Sequence, residues 1–148
     1  MIFVDTGAFL ARYLARDQYH AAAKHAWALL RRRRHRLFTS NFVLDETFTL
    51  LARRAGYSFA VERAGNIFAS PSLTILRPDA ADELEALKAF EKYADQEASF
   101  TDCISFVLMR KQGLRKAFAY DRHCAAAGFE LWPRSSAGLL AKRGAKVT

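Results

Sequence analysis

Short apolar runs alternate with longer amphipathic stretches along this chain, and no other feature constrains its fold as strongly. The first run, residues 1–4, leads directly into Asp5, Thr6 and Gly7. A run this short, with branched and aromatic side chains, is typical of a buried strand. We therefore predict a strand that presents Asp5 at its carboxyl end, followed by a helix that starts at Ala8 and is capped by Asp5 or Thr6.

The same pattern recurs, with strands predicted at 37–39, 73–76, 117–120 and 129–131. Helical patterns separate these strands. One of them, starting at Pro78 and Asp79, is predicted to turn an apolar side towards the core, formed by Leu84, Leu87, Phe90 and Tyr93. Strands that alternate with helices indicate an α/β domain, a three-layer α/β/α arrangement with a short, mostly parallel central sheet.

Composition narrows the class of protein. The chain has 148 residues, enough for one domain, and 23 basic against 15 acidic side chains leave a net charge of +8. This surplus indicates a polyanionic partner, either a nucleic acid or an anionic membrane face. No apolar run approaches the roughly 20 residues of a membrane span, and no signal peptide is expected. Cys103 and Cys124 are too few for a disulfide framework, so we expect reduced thiols and a cytoplasmic location.

Four acidic residues fall near the predicted carboxyl ends of strands, where open parallel sheets place their sites. Asp5 and Asp121 follow the first and fourth strands, Glu46 lies on the helix after the second strand, and Asp102 lies in the first turn of a later apolar helix. Each aspartate also has a structural explanation. Asp5 suits a helix cap, Asp102 completes a capping-box pattern with Ser99, and Asp121 suits the start of a turn.

Glu46 is harder to explain structurally. Its helical neighbours Phe42, Val43 and Leu50 are apolar, whereas Asp45 lies on the solvated side. A carboxylate on a core-facing stripe needs a partner, and several carboxylates together need a cation among them. A hard divalent ion, Mg²⁺ or Mn²⁺, suits oxygen ligands. In a basic protein this predicts metal-assisted chemistry on phosphodiesters.

Four segments carry a family resemblance. Residues 2–6 (IFVDT), 39–47 (TSNFVLDET), 99–106 (SFTDCISF) and 119–121 (AYD) resemble, in order and spacing, the motifs of PIN-domain ribonucleases. They are most similar to those of VapC toxins from bacterial toxin–antitoxin pairs. The resemblance implies a PIN-like domain over residues 1–133. The composition of residues 134–148, rich in Arg, Lys, Gly and Ser, predicts a basic, partly disordered tail.

The resemblance also implies function. Asp5, Glu46, Asp102 and Asp121 are expected to form the catalytic centre and bind Mg²⁺ (or Mn²⁺), with Thr6 and Thr101 in support. The expected activity is endonucleolytic hydrolysis of RNA by a metal-activated water. The expected partners are a second copy of the chain and a small DNA-binding antitoxin that covers the active-site groove. One position departs from the family pattern, because Cys124 stands where an aromatic residue is common.

Basic side chains are candidates for contacts with the RNA backbone. The first candidates are Arg122 and a basic run that consists of Arg31, Arg32, Arg33 and Arg34. A solvated helix end explains this run equally well, because cations are favourable near the carboxyl end of a helix. Further basic candidates are Arg36, Arg53, Arg54, Arg110 and Lys111.

Aromatic and histidine side chains have weaker assignments. Tyr57 and Trp132 suit base stacking, but core packing is expected for both. The histidines are His20, His25, His35 and His123. They form no ligand cluster in the sequence, and only His123 lies near a candidate acid.

Alternative functions remain open. A non-catalytic basic RNA-binding module would explain the charge but not four acids at strand ends. A dimerisation protein on the same fold would not require all four acids. The triplet Asp5-Thr6-Gly7 also resembles that of aspartic proteases, but those folds are rich in strands, and this chain is predicted to be rich in helices.

Overall fold

The computed structural model describes residues 1–134 of the chain. Five strands, seven α-helices and one turn of 3-10 helix (Ala94–Gln96) make up this part. In chain order the elements are β1 (Ile2–Val4), α1 (Thr6–Tyr13), α2 (His20–Arg32), β2 (Leu37–Ser40), α3 (Asn41–Ala55), α4 (Tyr57–Ala69), β3 (Leu73–Leu76), α5 (Ala80–Lys92), α6 (Phe100–Lys111), β4 (Lys116–Phe118), α7 (His123–Ala126) and β5 (Glu130–Trp132).

The strands form a single sheet in the order β3-β2-β1-β4-β5. Every neighbouring pair is parallel, so the predicted mostly parallel α/β sheet is confirmed. β1 is the central strand, and its three residues are completely buried. Because β2 and β4 flank it, the chain that leaves each of these three strands emerges at the same edge of the sheet.

The helices lie on both faces of this sheet. From β1 the chain adds β2 and then β3 on one side of the sheet. It then crosses to the other side of β1 and adds β4 and β5 there. Since crossovers between parallel strands are right-handed, α1 to α4 cover one face and α5 to α7 the other. The contacts agree, since α1 packs on α2 and α3, α3 on α4, and α5 and α7 on α6. The expected three-layer arrangement is confirmed.

Two buried side-chain hydrogen bonds hold the central strand and its helices in place. Thr39 on β2 donates its hydroxyl to the carbonyl of Val4 over 2.9 Å, which fixes the backbone immediately before Asp5. Trp27 on α2 donates its indole N–H to the carbonyl of Ala8 over 3.1 Å. Its ring also packs 5.4 Å from the ring of Phe118 on β4, so α1, α2 and the sheet share one core.

The helix starts differ in detail from the prediction. α1 begins at Thr6, and neither expected cap forms, because the Asp5 side chain makes no capping hydrogen bond and the buried Thr6 hydroxyl has no hydrogen-bond partner among residues 1–134. Ser40 does cap α3, accepting the backbone N–H of Val43 over 3.1 Å. β4 ends at Phe118, so Tyr120 lies in the loop beyond it.

The predicted orientation of α5 is wrong. Its core-facing side consists of Asp82, Ala86 and Ala89, with Tyr93 just beyond the helix. Leu84, Leu87 and Phe90 are instead 64%, 57% and 44% exposed. The buried side is therefore made of small residues and Asp82. The Asp82 carboxylate accepts the N–H of Asp79 and binds the Lys111 ammonium at 3.0 Å. α5 therefore has a second apolar side that remains largely exposed among the described residues.

Core packing was also expected for Tyr57 and Trp132, and the structure divides them. Trp132 is buried against Phe118, with ring centroids 5.4 Å apart. Tyr57 is 79% exposed at the start of α4, so its expected place in the core is wrong.

Apart from Arg134, the predicted basic tail lies outside the described residues. Within those residues, no helix has the length and apolar character needed to cross a membrane.

Two glycines provide a paired test of this backbone. Gly56 joins α3 to α4 with φ 93° and ψ 158°, a region that essentially only glycine occupies. Gly65 lies within α4, and a Cβ would contact nothing within 4 Å at either position. We expect Gly56→Ala to lower the free energy of unfolding by about 1–3 kcal/mol and Gly65→Ala to raise it by roughly 0.5–1 kcal/mol. Urea denaturation of both variants measures the difference, and shifts of the same sign would contradict the assignment.

Candidate active site

The four predicted acids lie beyond the carboxyl ends of the strands, around central β1. Asp5 directly follows β1, Asp121 follows β4, Glu46 is in the second turn of α3 after β2, and Asp102 is in the first turn of α6. Asp5 and Asp102 are buried, Glu46 is half-buried, and Asp121 is exposed. The edge of the sheet therefore carries a cluster of carboxylates that becomes more buried towards Asp5.

The helices α1, α3, α6 and the short α7 all begin at this edge. The amino ends of α3 and α6 meet, since the rings of Phe42 and Phe100 pack edge to face with centroids 6.1 Å apart. Helix amino ends carry partial positive charge and unpaired N–H groups, which favour nearby anions. The local fold thus offsets part of the cost of placing carboxylates together.

Asp102 is positioned by the end of its own helix. Ser99 Oγ accepts the Asp102 N–H over 3.0 Å, and Asp102 Oδ2 accepts the Ser99 N–H over 2.9 Å. This is the capping box that the sequence suggested, so the structural explanation of Asp102 is correct. It does not exclude a functional role, because the cap uses one carboxylate oxygen and leaves Oδ1 free of it. Burial raises the pKa of Asp102 despite the cap, and repulsion from Asp121 adds to the rise.

Asp121 also has a structural role. Its Oδ1 accepts the backbone N–H of His123 over 3.0 Å, which forms the turn into α7. The turn brings the His123 ring to the cluster, with Nδ1 lying 3.3 Å from Asp102 Oδ2 and 3.5 Å from Asp121 Oδ1. The predicted turn at Asp121 is therefore observed, and it also brings the His123 ring to the acids.

Asp5 is the most enclosed of the four acids. Its relative exposure is 3%, and burial raises its pKa well above the ordinary value of 3.8. The charges of Asp121 and Asp102 raise the pKa further, and the backbone N–H of Thr6 only partly opposes them. Since the Asp5 side chain caps no helix, nothing in the described fold uses its negative charge. A buried carboxylate of this kind requires a proton or a cation.

Glu46 is surrounded in a similar way. Burial raises its pKa, and the charge of Asp102 is the next contribution. The hydroxyls of Thr6 and Thr101 lie near this carboxylate and oppose the rise, which agrees with the supporting positions predicted for them. The Thr6 contact falls short of hydrogen-bond geometry, because the Thr6 hydroxyl has no partner within residues 1–134. Asp45, the neighbouring acid, is exposed as expected.

The structure brings the acids together unequally. Within the described part of the chain, the side chains whose ligand atoms all lie within 4.8 Å of one another belong to Asp102, Asp121 and His123. Asp5 and Glu46 lie close enough for their charges to interact with this group, but they are not members of it. The side chain that sequence reasoning left out of the site is His123, and its position two residues after Asp121 was the available signal.

The residues present fit a divalent cation. Two buried polar atoms at the cluster, Thr6 Oγ1 and His123 Nδ1, have no hydrogen-bond partner among residues 1–134. Buried polar atoms are normally paired. The pKa of Asp5, Glu46 and Asp102 is raised in each case mainly by burial. Polar atoms without hydrogen-bond partners therefore lie beside carboxylates whose ionisation is unfavourable. A bound cation would satisfy several of these groups at once.

Cys124 packs beneath the cluster. It is 1% exposed, and burial, reinforced by the charge of Asp5, raises the pKa of its thiol. A thiol in such surroundings behaves as a small apolar side chain rather than a nucleophile. The departure from the family pattern at this position therefore concerns packing under the acids.

The basic run predicted to contact RNA does not meet the acids. Its members, all exposed, are Arg31, Arg32, Arg33 and Arg34. Arg33 is the carboxyl-terminal cap of α2 and donates its backbone N–H to the carbonyl of Leu29 over 3.0 Å. The chain then enters β2 at its first residue, so Arg33 and its neighbours lie at the amino-terminal edge of the sheet, opposite the acids. For Arg31, Arg32, Arg33 and Arg34 the solvated helix end is therefore the explanation that the geometry favours.

The other basic candidates differ in their surroundings. Arg122 is exposed and adjacent to Asp121. Of the first candidates for RNA contacts, it is therefore the one that lies at the acids. Two further candidates are engaged within the fold. Arg110 donates to the carbonyl of Ala127 over 2.9 Å, and Lys111 pairs with Asp82.

A cavity of about 460 Å³ lies away from the acids, between α1, α2 and α4. Its lining includes four cationic side chains, those of Arg12, Lys24, Arg31 and Arg63, and none of the four candidate acids. The acidic cluster is an open edge and not this cavity. The cationic side chains that line this cavity are therefore separated from the candidate chemistry.

The raised pKa values predict how the metal-free protein responds to pH. Above the unfolded values of about 3.8 for Asp and 4.5 for Glu, the native state binds more protons than the unfolded chain, so stability falls as pH rises through the folded pKa values. Asp5→Asn should flatten this slope and raise the melting temperature near neutral pH, whereas Asp45→Asn should change neither. Thermal melts of wild type and both variants in EDTA across pH 4–8 provide the measurement, and a wild-type melting temperature that does not fall relative to that of Asp5→Asn as pH rises would contradict the expectation.

Known proteins provide independent evidence for the family. The PIN domain model matches residues 2–130. The 23S rRNA-specific endonuclease VapC20 of Mycobacterium tuberculosis is 40% identical over 129 residues, which cover 87% of this chain and 95% of that protein. A VapC ribonuclease of Archaeoglobus fulgidus is 32% identical over 127 residues, covering 80% of this chain and 75% of that protein.

Solved structures agree with these matches. The crystal structure of Mycobacterium tuberculosis VapC20, described as a sarcin–ricin loop cleaving toxin, superposes with a TM-score of 0.79 at 38% identity and covers 87% of this chain and 96% of that one. FitAcB from Neisseria gonorrhoeae, at 16% identity and a TM-score of 0.61, with 88% of this chain and 96% of that one covered, shares the fold. The family match over almost all described residues, together with these relatives, shows that the chain belongs to the PIN-domain family and that its relatives include VapC ribonucleases.

Proposed function

We propose that this protein is a Mg²⁺-dependent endoribonuclease and the toxin of a toxin–antitoxin pair. The observation that carries the proposal is the cluster of Asp5, Glu46, Asp102 and Asp121 at one edge of the sheet, in which burial is the main cause of a raised pKa for three of the carboxylates. A protein with a net charge of +8 gathers acids in this way at a cost in stability. Metal-dependent cleavage of a polyanion explains both the acids and the surplus of positive charge.

Asp102 and Asp121 would hold the metal ion directly, with Asp5 and Glu46 completing the site directly or through water. Mn²⁺ suits the same oxygen ligands. When bound, the ion supplies an activated water and neutralises the charge that develops on the phosphate. The chain contributes orientation, since the N–H groups of Ser99 and His123 each hold one carboxylate oxygen. The reaction proposed is hydrolysis of an RNA phosphodiester bond.

The surroundings of the cluster can accommodate RNA. Arg122 flanks Asp121 at the exposed side of the site and is placed to contact a phosphate. Tyr19 and Tyr120 stack with ring centroids 4.5 Å apart and planes 7° from parallel, and Tyr120 immediately precedes Asp121. The 39% exposed Tyr19 offers a surface for base stacking. The run from Arg31 to Arg34 would contact RNA only at a distance from the site, because it lies at the opposite edge of the sheet.

The relatives suggest a substrate. Because VapC20, at 40% identity, is named as a 23S rRNA-specific endonuclease, the sarcin–ricin loop of 23S rRNA is the substrate we propose first. We also propose that a small DNA-binding antitoxin inhibits the enzyme by covering the groove over the acids. The exposed position of Asp121 makes the cluster reachable by a segment of another chain.

A homodimer is the proposed assembly, formed through α5. Its exposed apolar side, Leu84, Leu87 and Phe90, follows helical spacing, and such patches mark interfaces. The Phe90 ring packs against the Phe100 ring with centroids 5.7 Å apart, so the patch continues onto α6. Since α6 carries Asp102, pairing through this side would stabilise the helix that holds a catalytic acid.

RNA cleavage tests the proposed activity. The purified protein with Mg²⁺ should cut a sarcin–ricin loop RNA, and EDTA should stop the reaction. Asp102→Asn should reduce the rate by more than the roughly 10–100-fold loss typical of outer-shell partners of a metal, whereas the matched change Asp45→Asn, on the exposed side of α3, should leave it intact.

Two outcomes would contradict this proposal. Cleavage that continues undiminished in EDTA would overturn the metal-dependent mechanism. Binding of many RNAs without cleavage of any, in protein that also binds Mg²⁺, would favour a non-catalytic RNA-binding module.

The dimer has its own test. Leu87→Glu places a charge in the centre of the α5 patch and should convert a dimer into a monomer, as measured by light scattering coupled to size-exclusion chromatography. Val61→Glu changes a comparably exposed apolar residue on α4 and should leave the mass unchanged. A dimer that persists in Leu87→Glu would place the interface elsewhere.

A further inference from the structure

We propose that the imidazole of His123 is itself a ligand of the metal ion, through Nδ1. The centre would then contain one nitrogen among carboxylate oxygens, and it would favour ions that accept imidazole, such as Mn²⁺ and Co²⁺, more than an all-oxygen site does. This inference rests on the proposed function, because it takes the same acids as partners of the ion. It adds a residue that neither the acidic pattern nor the capping geometry of the site assigns.

The hydrogen-bond partner of Nε2 determines which nitrogen carries the proton. Nε2 lies 3.0 Å from the backbone carbonyl oxygen of Gln96. A carbonyl oxygen can only accept a hydrogen bond, so Nε2 is the donor. Gln96 ends the 3-10 turn that precedes α6, and the next residue, Glu97, has a left-handed φ of 57°. The backbone therefore holds the carbonyl in place, and with it the orientation of the ring.

Nδ1 is consequently the nitrogen that faces the acids. It lies 3.3 Å from Asp102 Oδ2 and 3.5 Å from Asp121 Oδ1. The atom is buried, and it has no hydrogen-bond partner among residues 1–134. One ring nitrogen thus donates its N–H to a carbonyl, and the other faces carboxylates without a hydrogen bond. Metal-binding histidines in proteins are oriented in this way.

The surroundings of Nδ1 favour a cation over an empty gap. In the neutral ring the lone pair of Nδ1 faces two carboxylate oxygens, and these three acceptors repel one another. A proton on Nδ1 would form ion pairs with these oxygens at 3.3 and 3.5 Å, but neither contact has hydrogen-bond geometry, whereas an ion bound to Nδ1 and to both carboxylates would satisfy all three groups. The observed separations are close to the roughly 3 Å between neighbouring ligand atoms on an octahedral ion with bonds of about 2.1 Å.

The other charged groups around His123 agree with this role. Asp102, Asp121 and His123 form the set whose ligand atoms lie within 4.8 Å of one another, within the part of the chain that the structure describes. Asp5 adds negative charge to the same group through Asp102 and Asp121. Arg122, the adjacent cation in sequence, is exposed and makes no ion pair with the described acids of the site.

The consequence is a change in metal preference. Mg²⁺ is bound by oxygen ligands and keeps several waters, whereas imidazole suits the later transition metals, and affinity for a site with nitrogen rises from Mn²⁺ to Co²⁺. Removing the nitrogen should therefore weaken Mn²⁺ and Co²⁺ binding much more than Mg²⁺ binding. A purely structural His123 would instead affect all three ions to the same extent.

Electron spin-echo spectroscopy of the Mn²⁺-loaded protein tests the proposal directly. In the full chain with natural isotopes, nitrogen modulation from a coordinated imidazole is expected, and it should change when the histidines are labelled with ¹⁵N. His123→Asn should abolish this signal, and the matched variant His25→Asn, altering an exposed histidine of α2, should retain it. The wild-type spectrum alone reports whether a histidine coordinates the ion, and the two variants assign the signal to His123.

Calorimetric titration gives the second readout. His123→Asn should weaken Mn²⁺ binding by about 10-fold or more and Mg²⁺ binding by clearly less, with thermal melts confirming the fold. Mn²⁺ that binds with wild-type affinity but shows no histidine nitrogen would overturn this inference and leave the proposed acidic centre intact. Failure of any divalent ion to bind, or of binding to respond to Asp102→Asn, would instead overturn the proposed function.

Discussion

Repulsion among carboxylates at one edge of the sheet is the constraint on which the rest of this structure depends. Asp5 is enclosed directly behind the central strand, and its pKa is raised first by burial and then by Asp121 and Asp102. A fold with no use for such a cluster would not bury it. The surrounding architecture reduces the cost, because α1, α3, α6 and α7 direct their amino ends to this edge, and backbone N–H groups hold one oxygen each of Asp102 and Asp121.

Structural and functional explanations of these residues prove compatible. Asp102 closes a capping box and Asp121 begins a turn, yet each remains available to the cluster, since a carboxylate has two oxygens and the backbone takes only one. Asp5 differs, because its side chain caps nothing. The residue whose structural explanation fails is thus also the most buried of the four. The buried Asp5 carboxylate, which has no capping role, supports a chemical role for the cluster more strongly than the proximity of the four acids does.

Much of the fold was predictable from the chain. Alternating short apolar runs and helical patterns predicted a parallel α/β sheet, and the sequence predicted that all four acids lie near the carboxyl ends of strands. The predicted orientation of α5 was wrong, because the apolar pattern of its sequence does not match the side that is buried. On α5 the larger apolar residues Leu84 and Leu87 remain outside while Ala86 and Ala89 face the core, because the close packing of α5 on α6 and the Asp82–Lys111 contact select the smaller side.

The sequence by itself determined the class of fold, the family and the identity of the four acids, since each of these depends on residue type and spacing along one chain. Only the tertiary structure decided which groups meet. Asp102 reaches the site from a helix that follows no strand directly, and His123 joins it because the carbonyl of Gln96, distant in sequence, binds the far side of its ring. Such contacts depend on how separate elements pack across the sheet edge, and no local pattern encodes them.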